Sequence, residues 1–130
     1  MQRIKVGVVG CGYWGPNLIR NFRSLPECHL EYMCDVSQDR LKHLSSLYPE
    51  VKPEMDFGHL LNGAGLDAIA IATSVKHHYS MAKASLEAGK HTFIEKPMAS
   101  SLQQCQELVD FVIAHAREAG RDKTDPGRGK

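Results

Sequence analysis

The sequence predicts an α/β fold, a doubly wound parallel sheet of about five strands with helices on both faces. Two observations carry this. Apolar runs of strand length alternate with segments whose apolar residues recur at helical spacing, the trace that parallel strands joined by crossover helices leave in a sequence. The first run, "IKVGVV" (Ile4 to Val9), is β-branched and almost continuously apolar, as expected of a strand buried on both of its faces.

After that strand, Leu18, Ile19 and Phe22 fall at helical spacing and Pro26 closes the segment. "LEYMC" (Leu30 to Cys34) reads as a second strand, followed by a helix from Gln38 with Leu41, Leu44 and Leu47 on one face. "VKPEM" holds a short edge strand, because Pro53 has no N–H to give to the ladder of a central one. "LDAIAIAT" (Leu66 to Thr73) is a buried strand, and "HYSMAKASLEAGK" is a helix with its stop at Gly89. "HTFIE" (His91 to Glu95) supplies a fifth strand. Leu102 to Ala119 forms a long last helix with Leu108, Val109, Val112 and Ile113 on its apolar face. A single domain over residues 1–119 is expected, with residues 120–130, "GRDKTDPGRGK", a disordered polar tail lacking any large apolar residue.

Composition removes several classes of function. The 130 residues include 16 basic and 15 acidic ones for a net charge of +1, which leaves no electrostatic footprint for nucleic acid or an anionic membrane. The longest apolar run is too short to span a bilayer, and "MQRIK" enters the first strand without a cleavage signature, so a cytoplasmic chain is expected. Cys11, Cys28, Cys34 and Cys105 form no C-x-x-C pair and are expected to be free thiols. Of the seven histidines only His77 and His78 adjoin, and neighbouring side chains on a helix or strand do not converge on one ion, so no metal is expected.

Chemistry first appears in "GCGYWG". Gly10, Gly12 and Gly15 form G-x-G-x-x-G between a strand and a helix, and Asp35 ends the next strand 20 residues beyond Gly15. Gly10 permits the tight turn, Gly12 lets the backbone approach a pyrophosphate, and Gly15 lets the helix lie close to the strand. The free N–H groups and positive end of the helix then receive the phosphates. Pro16 fits the first helical turn, where its missing N–H removes a donor that has no intrahelical partner. A dinucleotide is the ligand this arrangement fits. Asp35 can accept hydrogen bonds from ribose hydroxyls and would repel a 2′-phosphate, while Val36 and Ser37 offer no arginine to neutralise one, so NAD is favoured over NADP. Arg40 lies close enough in sequence to moderate that preference. Tyr13 and Trp14 are candidates for flanking the cofactor, with core packing the competing role for both.

In open parallel sheets ligands lie outside the carboxyl ends of the strands, so "ATSVKHHY" and "EKPMAS" should face the same cleft. Lys96 follows a strand and precedes Pro97, whose ring fixes the local backbone. A fixed lysine beside a nicotinamide can hydrogen-bond a substrate hydroxyl and, as the ammonium, stabilise its developing charge or, as the neutral amine, remove its proton as hydride leaves.

Together "GCGYWG", "CD", "AIATSVKHHY", "ASLEAGKH" and "EKPMA" resemble the Gfo/Idh/MocA oxidoreductases over residues 4–119. The resemblance implies a Rossmann domain and an NAD-dependent dehydrogenase acting on a sugar, an inositol or a nucleotide sugar. It implies that Gly10 to Gly15 carry the pyrophosphate, Asp35 the adenosine ribose, that Thr73, Ser74 and His78 line the cofactor cleft, and that Lys96 of the Glu95-Lys96-Pro97 motif is the active-site lysine. "GYWGPN" is similar to a subgroup that oxidises nucleotide-linked hexosamines or their uronic acids.

Two departures from the family pattern stand out. Ser74 replaces the usual proline, and the chain stops before a sixth strand and before the α/β substrate domain that such enzymes carry. A strand at His91 to Glu95 left as an open edge invites pairing with another chain, so self-association is expected. A non-catalytic NAD-binding or sensing module is the alternative to an enzyme, since substrate-positioning residues lie outside this sequence.

Overall fold

Val6 and Val8 of the first strand join the apolar cluster on one face of the sheet, and Val9 joins the cluster on the other. Gly7, between them, is closely covered by Leu60 and Leu66; a Cβ there would stand 2.6 Å from Leu66 Cδ1. From Val6 to Val9 this strand, β1 (Ile4–Val9), is therefore buried from both sides, the environment its nearly continuous apolar character requires, while Ile4 and Lys5 at its start are exposed. The computed structural model describes residues 3–12, 15–96 and 99–122, with side chains as far as His115.

Helix α1 (Gly15–Ser24) returns the chain to β2 (Cys28–Cys34), and α2 (Gln38–Leu47) leads to β3 (Lys52–Glu54). The short α3 (Phe57–Leu61) precedes β4 (Ala68–Ile71), α4 (Val75–Glu87) precedes β5 (His91–Ile94), and α5 (Leu102–Asp122) follows. All strand pairs are parallel, in the order β3-β2-β1-β4-β5. The chain moves outward from β1 through β2 to β3 and then crosses to the other side of β1, so the order reverses between β1 and β4. Leu18, Ile19, Leu41 and Leu44 of α1 and α2 cover one face, and Leu60, Ala82 and Leu108 of α3, α4 and α5 cover the other. Tyr79 of α4 donates its hydroxyl to the Glu107 carboxylate of α5 and ties those two helices together.

Several boundaries differ from the sequence reading, each for a local reason. α3 was not expected: it has only 5 residues and no periodic pattern, and is held instead by capping. Glu54 Oε2 accepts the Met55 and Asp56 amides at 3.0 and 2.9 Å, His59 Nδ1 stands 2.7 Å from Glu54 Oε1, and Asp56 Oδ1 accepts the Gly58 amide at 2.9 Å. The Asp56 amide first, and His59 second, hold the Glu54 carboxyl below its ordinary range. α4 begins at Val75, three residues before His78. β4 is shorter than Leu66 to Thr73, and β5 ends at Ile94 rather than Glu95. α5 continues to Asp122, past the expected end at Ala119, and residues 123–130 of the expected tail lie outside the described residues.

The edge strand and the stop of α4 sit where the sequence places them, whereas Leu47, expected on the apolar face of α2, is exposed. Lys52, Pro53 and Glu54 form a short edge strand whose charges and proline discourage pairing. Gly89 adopts φ +78° and closes α4, with the Lys90 amide donating to the Ser85 carbonyl and the Gly89 amide to that of Leu86. β5 is the opposite edge, and among the described residues no strand covers its outer side. There Phe93 is 48% exposed and meets Phe22 edge to face, with ring centroids 6.0 Å apart.

Candidate functional site

Beyond the paired carboxyl ends of β1 and β4 the chain passes to α1 on one face and to α4 on the other, and a crevice lies at this reversal of strand order. A cavity of about 600 Å³ occupies it, lined by Gly10, Gly12, Asp35, Thr73, Ser74 and His77 among others. That volume lies within the range of small-molecule and cofactor sites, ~300–1,000 Å³. Val36, Met55 and Phe57 supply an apolar wall on the β2–β3 side.

Gly10 and Gly15 of the first loop stand where no larger residue fits. Gly10 has φ +93°, and a Cβ on it would stand 2.6 Å from the Thr73 amide nitrogen and 2.7 Å from the Ala72 carbonyl carbon. The two loops thus touch through bare backbone. A Cβ on Gly15 would stand 1.9 Å from the Gly10 carbonyl oxygen, so only glycine lets α1 start this close to the end of β1. Gly12 differs: among the described residues its Cβ position meets only the Arg40 guanidinium, with Nη1 at 3.3 Å. The space above Gly12 is closed by a flexible side chain, not by backbone.

Asp35 fixes this loop. Its Oδ2 accepts the Cys11 amide at 2.7 Å and its Oδ1 accepts the Ser37 amide at 2.7 Å. At 7% exposure it is buried, not a solvated acid at a strand end. One carboxylate therefore straps the glycine loop to the turn that opens α2, and each oxygen keeps a second lone pair for another donor. Arg40 Nη1 stands 3.9 Å from Oδ2, a loose ion pair.

Cys11 and Cys34 lie beneath the loop as buried free thiols. Burial first, then the nearby carboxylates, push both thiols up to about 12. They stay protonated at neutral pH and act as small apolar side chains here.

On the second loop, Thr73 and Ser74 line the cavity as expected, and His78 does not. His78 is 2% exposed, and its Nε2 stands 2.7 Å from the Thr73 carbonyl oxygen beneath the turn. Because α4 starts at Val75, His78, Ala82 and Ser85 fall on its buried face, and His77 turns to the cavity instead. His78 holds the turn that Gly10 abuts; His77 is the lining residue that sequence reasoning passed over. Ser74 has φ −64°, a value that proline also fixes, so the backbone here is one that the usual proline could adopt.

Glu95 and Lys96 follow β5. The Glu95 amide donates to the Ile71 carbonyl at 3.1 Å, which places this segment beside the residues that lead into Ala72 and Thr73. Lys96 is exposed one position further on, outside the cavity lining. Tyr13, Trp14 and Pro97, also expected at the site, lie outside the described residues.

These parts fit a dinucleotide: a cradle that a single Cβ would fill, a helix beginning at its rim, and a buried carboxylate with acceptor capacity to spare. Comparison with known proteins agrees. The family described as "Oxidoreductase family, NAD-binding Rossmann fold" (Gfo/Idh/MocA) matches residues 4–120. A protein named glycosyl hydrolase family 109 protein 3, from Phocaeicola vulgatus, is 34% identical over 119 residues, covering 85% of this chain and 22% of its own length. Among solved structures, scyllo-inositol dehydrogenase from Lactobacillus casei, with NAD(H) and scyllo-inositol bound, superposes with a TM-score of 0.81 at 25% identity. That match covers 89% of this chain and 34% of the other. The WlbA dehydrogenase from Bordetella pertussis, in complex with NADH and UDP-GlcNAcA, gives a TM-score of 0.77 at 26% identity over 85% of this chain and 34% of that one. The chain thus spans between about a fifth and a third of the length of these proteins.

Proposed function

We infer function from one premise: the chain belongs to the Gfo/Idh/MocA oxidoreductase family, as its NAD-binding Rossmann domain. We propose that it is the cofactor-binding part of an NAD-dependent dehydrogenase that moves hydride between nicotinamide and a ring hydroxyl of a sugar, inositol or nucleotide sugar. The observation that carries this is the crevice at the strand-order reversal, walled by Gly10 and Gly12 on one loop and Thr73 and Ser74 on the other. The inositol and UDP-GlcNAcA bound by the two dehydrogenases support a polyhydroxylated ring as substrate. The glycosyl hydrolase name of the sequence relative points to carbohydrate as well.

In this reading the amides at the start of α1 take the pyrophosphate, and Gly12 keeps its approach open. Asp35 accepts from the adenosine ribose hydroxyls while continuing to hold the Cys11 and Ser37 amides, which favours NAD. The bound nicotinamide supplies the hydride acceptor. Lys96 hydrogen-bonds the substrate hydroxyl and takes its proton as the carbon–oxygen bond becomes a carbonyl. The residues that orient the substrate come from outside the described fold, and turnover requires them.

Calorimetric titration of the 130-residue chain with NAD, with NADP in parallel, tests the binding half. Saturable binding, tighter for NAD, is the expected result. A folded α/β protein by circular dichroism that binds neither would overturn it. Assays against inositols, nucleotide sugars and aryl glycosides, with a substrate domain supplied, separate hydride transfer from glycoside hydrolysis and from binding without turnover.

We also propose that the open edge of β5 mediates self-association. On this strand Phe93 is 48% exposed beside Phe22 of α1 on one face of the sheet, and on the other face Val109, Val112 and Ile113 of α5 are 41–47% exposed. Sedimentation velocity should show a concentration-dependent shift to larger species, and Phe93→Lys should reduce it. A monodisperse monomer at high concentration would rule the interface out.

A further inference from the structure

We propose that His59 is a positioning residue for the crevice and makes dinucleotide binding depend on pH: when charged it clamps the turn between β3 and α3 more firmly than when neutral, and the crevice then binds more tightly. The inference rests on the cofactor reading above and extends it to regulation of that site by a pair of side chains, Glu54 and His59, that do not line it.

The pair is tied to the crevice through Glu54. Its carboxylate gathers the turn that follows β3: Oε2 accepts the Met55 and Asp56 amides at 3.0 and 2.9 Å, and His59 Nδ1 reaches back from α3 to within 2.7 Å of Oε1. The residues on either side of Asp56, Met55 and Phe57, form the apolar wall of the crevice. The main chain of Glu54 reaches the site as well, because its carbonyl accepts the Asp35 amide at 3.1 Å. A clamp that tightens or loosens at Glu54 therefore bears on the wall and on the strand end that carries Asp35.

A neutral imidazole can donate one N–H to Oε1, whereas an imidazolium donates the same N–H and adds an opposite charge, which strengthens the bond. Histidine is the side chain that changes charge between about pH 5 and pH 8. The carboxylate does not titrate with it: the Asp56 amide first, and His59 second, hold Glu54 below its ordinary range. The two groups act in separate windows. What Glu54 contributes is lost only in acid, as pH falls through its lowered value, while the charge on a histidine is gained as pH falls toward about 6. The surrounding groups have partners of their own. Tyr32 of β2 meets the His59 ring edge to face with centroids 5.6 Å apart, and Lys52, 5.5 Å from the Tyr32 ring centre, is paired with Glu31 at 3.0 Å. The Asp56 carboxylate accepts the Gly58 amide at 2.9 Å. Cys34, faced by the Glu54, Asp35 and Asp56 carboxylates, stays a neutral thiol. The side chains of His59 and Glu54 are 39% and 23% exposed, so solvent screens the pair and the effect is a few fold.

The test is calorimetric titration of NAD into the unaltered chain, His59→Gln and Glu54→Gln from about pH 5.5 to about pH 8, with an NMR titration of the His59 ring in the unaltered chain with and without saturating NAD. The unaltered chain should bind NAD about threefold more tightly at the acid end than at the alkaline end. His59→Gln, which offers Glu54 a neutral donor at every pH, should match the parent at the alkaline end and lose most of that gain. Glu54→Gln removes the charge that the imidazolium faces and should flatten the profile in the same way. His77 lines the crevice and brings a histidine titration of its own, so the difference between the parent and His59→Gln profiles is the quantity that decides. By reciprocity, saturating NAD should raise the midpoint of the His59 signal by about half a pH unit, a readout that needs no substitution. A profile unchanged by His59→Gln, or a His59 midpoint that ignores NAD, would overturn the proposal and leave the cofactor reading standing. An unaltered chain that binds no NAD at either end of the range would overturn the cofactor reading, and this proposal with it.

Discussion

Replacing Gly15 by alanine is expected to abolish dinucleotide binding and to destabilise the fold in the same step. The added methyl would stand 1.9 Å from the Gly10 carbonyl oxygen, a backbone atom held by the parallel pairing of β1 and by the Gly10 amide, which donates to the Cys34 carbonyl at 2.8 Å. Neither side can yield cheaply, so α1 must move away from the end of β1. A cost on the order of 3 kcal/mol follows from forced overpacking, and in a domain of this size it lowers the thermal midpoint by roughly 10 °C. Gly12→Ala separates folding from binding. Its methyl meets only the Arg40 guanidinium, an exposed and flexible group, so the fold should melt within a few degrees of the parent. The same methyl stands where the loop must be approached by a pyrophosphate, and affinity should fall by roughly tenfold or more. Gly65→Ala is the control: φ is +68° there but nothing lies within 4 Å, so it carries backbone strain without a clash and leaves the site untouched. Thermal melts and NAD titrations of the three variants check the pattern. A Gly15→Ala chain that melts and binds like the parent would show that the loop is not held as described.

The sheet was legible because burial on both faces leaves a local signature: continuous β-branched runs such as Ile4 to Val9, separated by glycine stops such as Gly89. The glycine loop was legible because its spacing between a strand and a helix implies the steric demands that Gly10 and Gly15 meet. What escaped depended on contacts distant in sequence or on helix phase. α3 is made by Glu54 and Asp56 accepting amides, not by apolar periodicity. His78, expected in the cleft, is buried and His77 lines the cavity because adjacent helical residues lie about 100° apart, so the residue facing the cavity depends on where the helix begins. The pattern His78, Ala82, Ser85 would have placed His78 inside, since all three recur on the buried face of α4. Arg40 reaches the loop only because Ser37 starts a helix at that point. Asp35 was expected as a ribose acceptor, but its two backbone bonds could not be read from a strand-end acid.

Those two bonds make Asp35→Ala the second substitution with a large expected effect, and they change what it should look like. An acid that only received ribose hydroxyls could be removed with loss of affinity and no structural consequence. Here removal leaves the Cys11 and Ser37 amides without their acceptor, in a region where Cys11 is 3% exposed. An orphaned buried N–H costs on the order of 1–3 kcal/mol, and the strap between the glycine loop and the start of α2 is cut. Arg40 also loses its counter-charge and is freed from the edge of the cavity. Asp35→Asn should recover only part of the stability, because its amide oxygen can serve one of the two N–H groups while its NH₂ turns a donor toward the other. The expected outcome is a loss of NAD affinity of roughly a hundredfold for Asp35→Ala, accompanied by faster hydrogen exchange at the Cys11 and Ser37 amides in the cofactor-free protein. The exchange measurement decides between the two roles, because it is made without ligand. Unchanged protection at Cys11 and Ser37 would reduce Asp35 to a ribose acceptor. Accelerated exchange would mean that the residue proposed to choose the cofactor also shapes the loop proposed to receive its phosphates, so specificity at Asp35 could not be re-engineered without supplying another acceptor for the Cys11 amide.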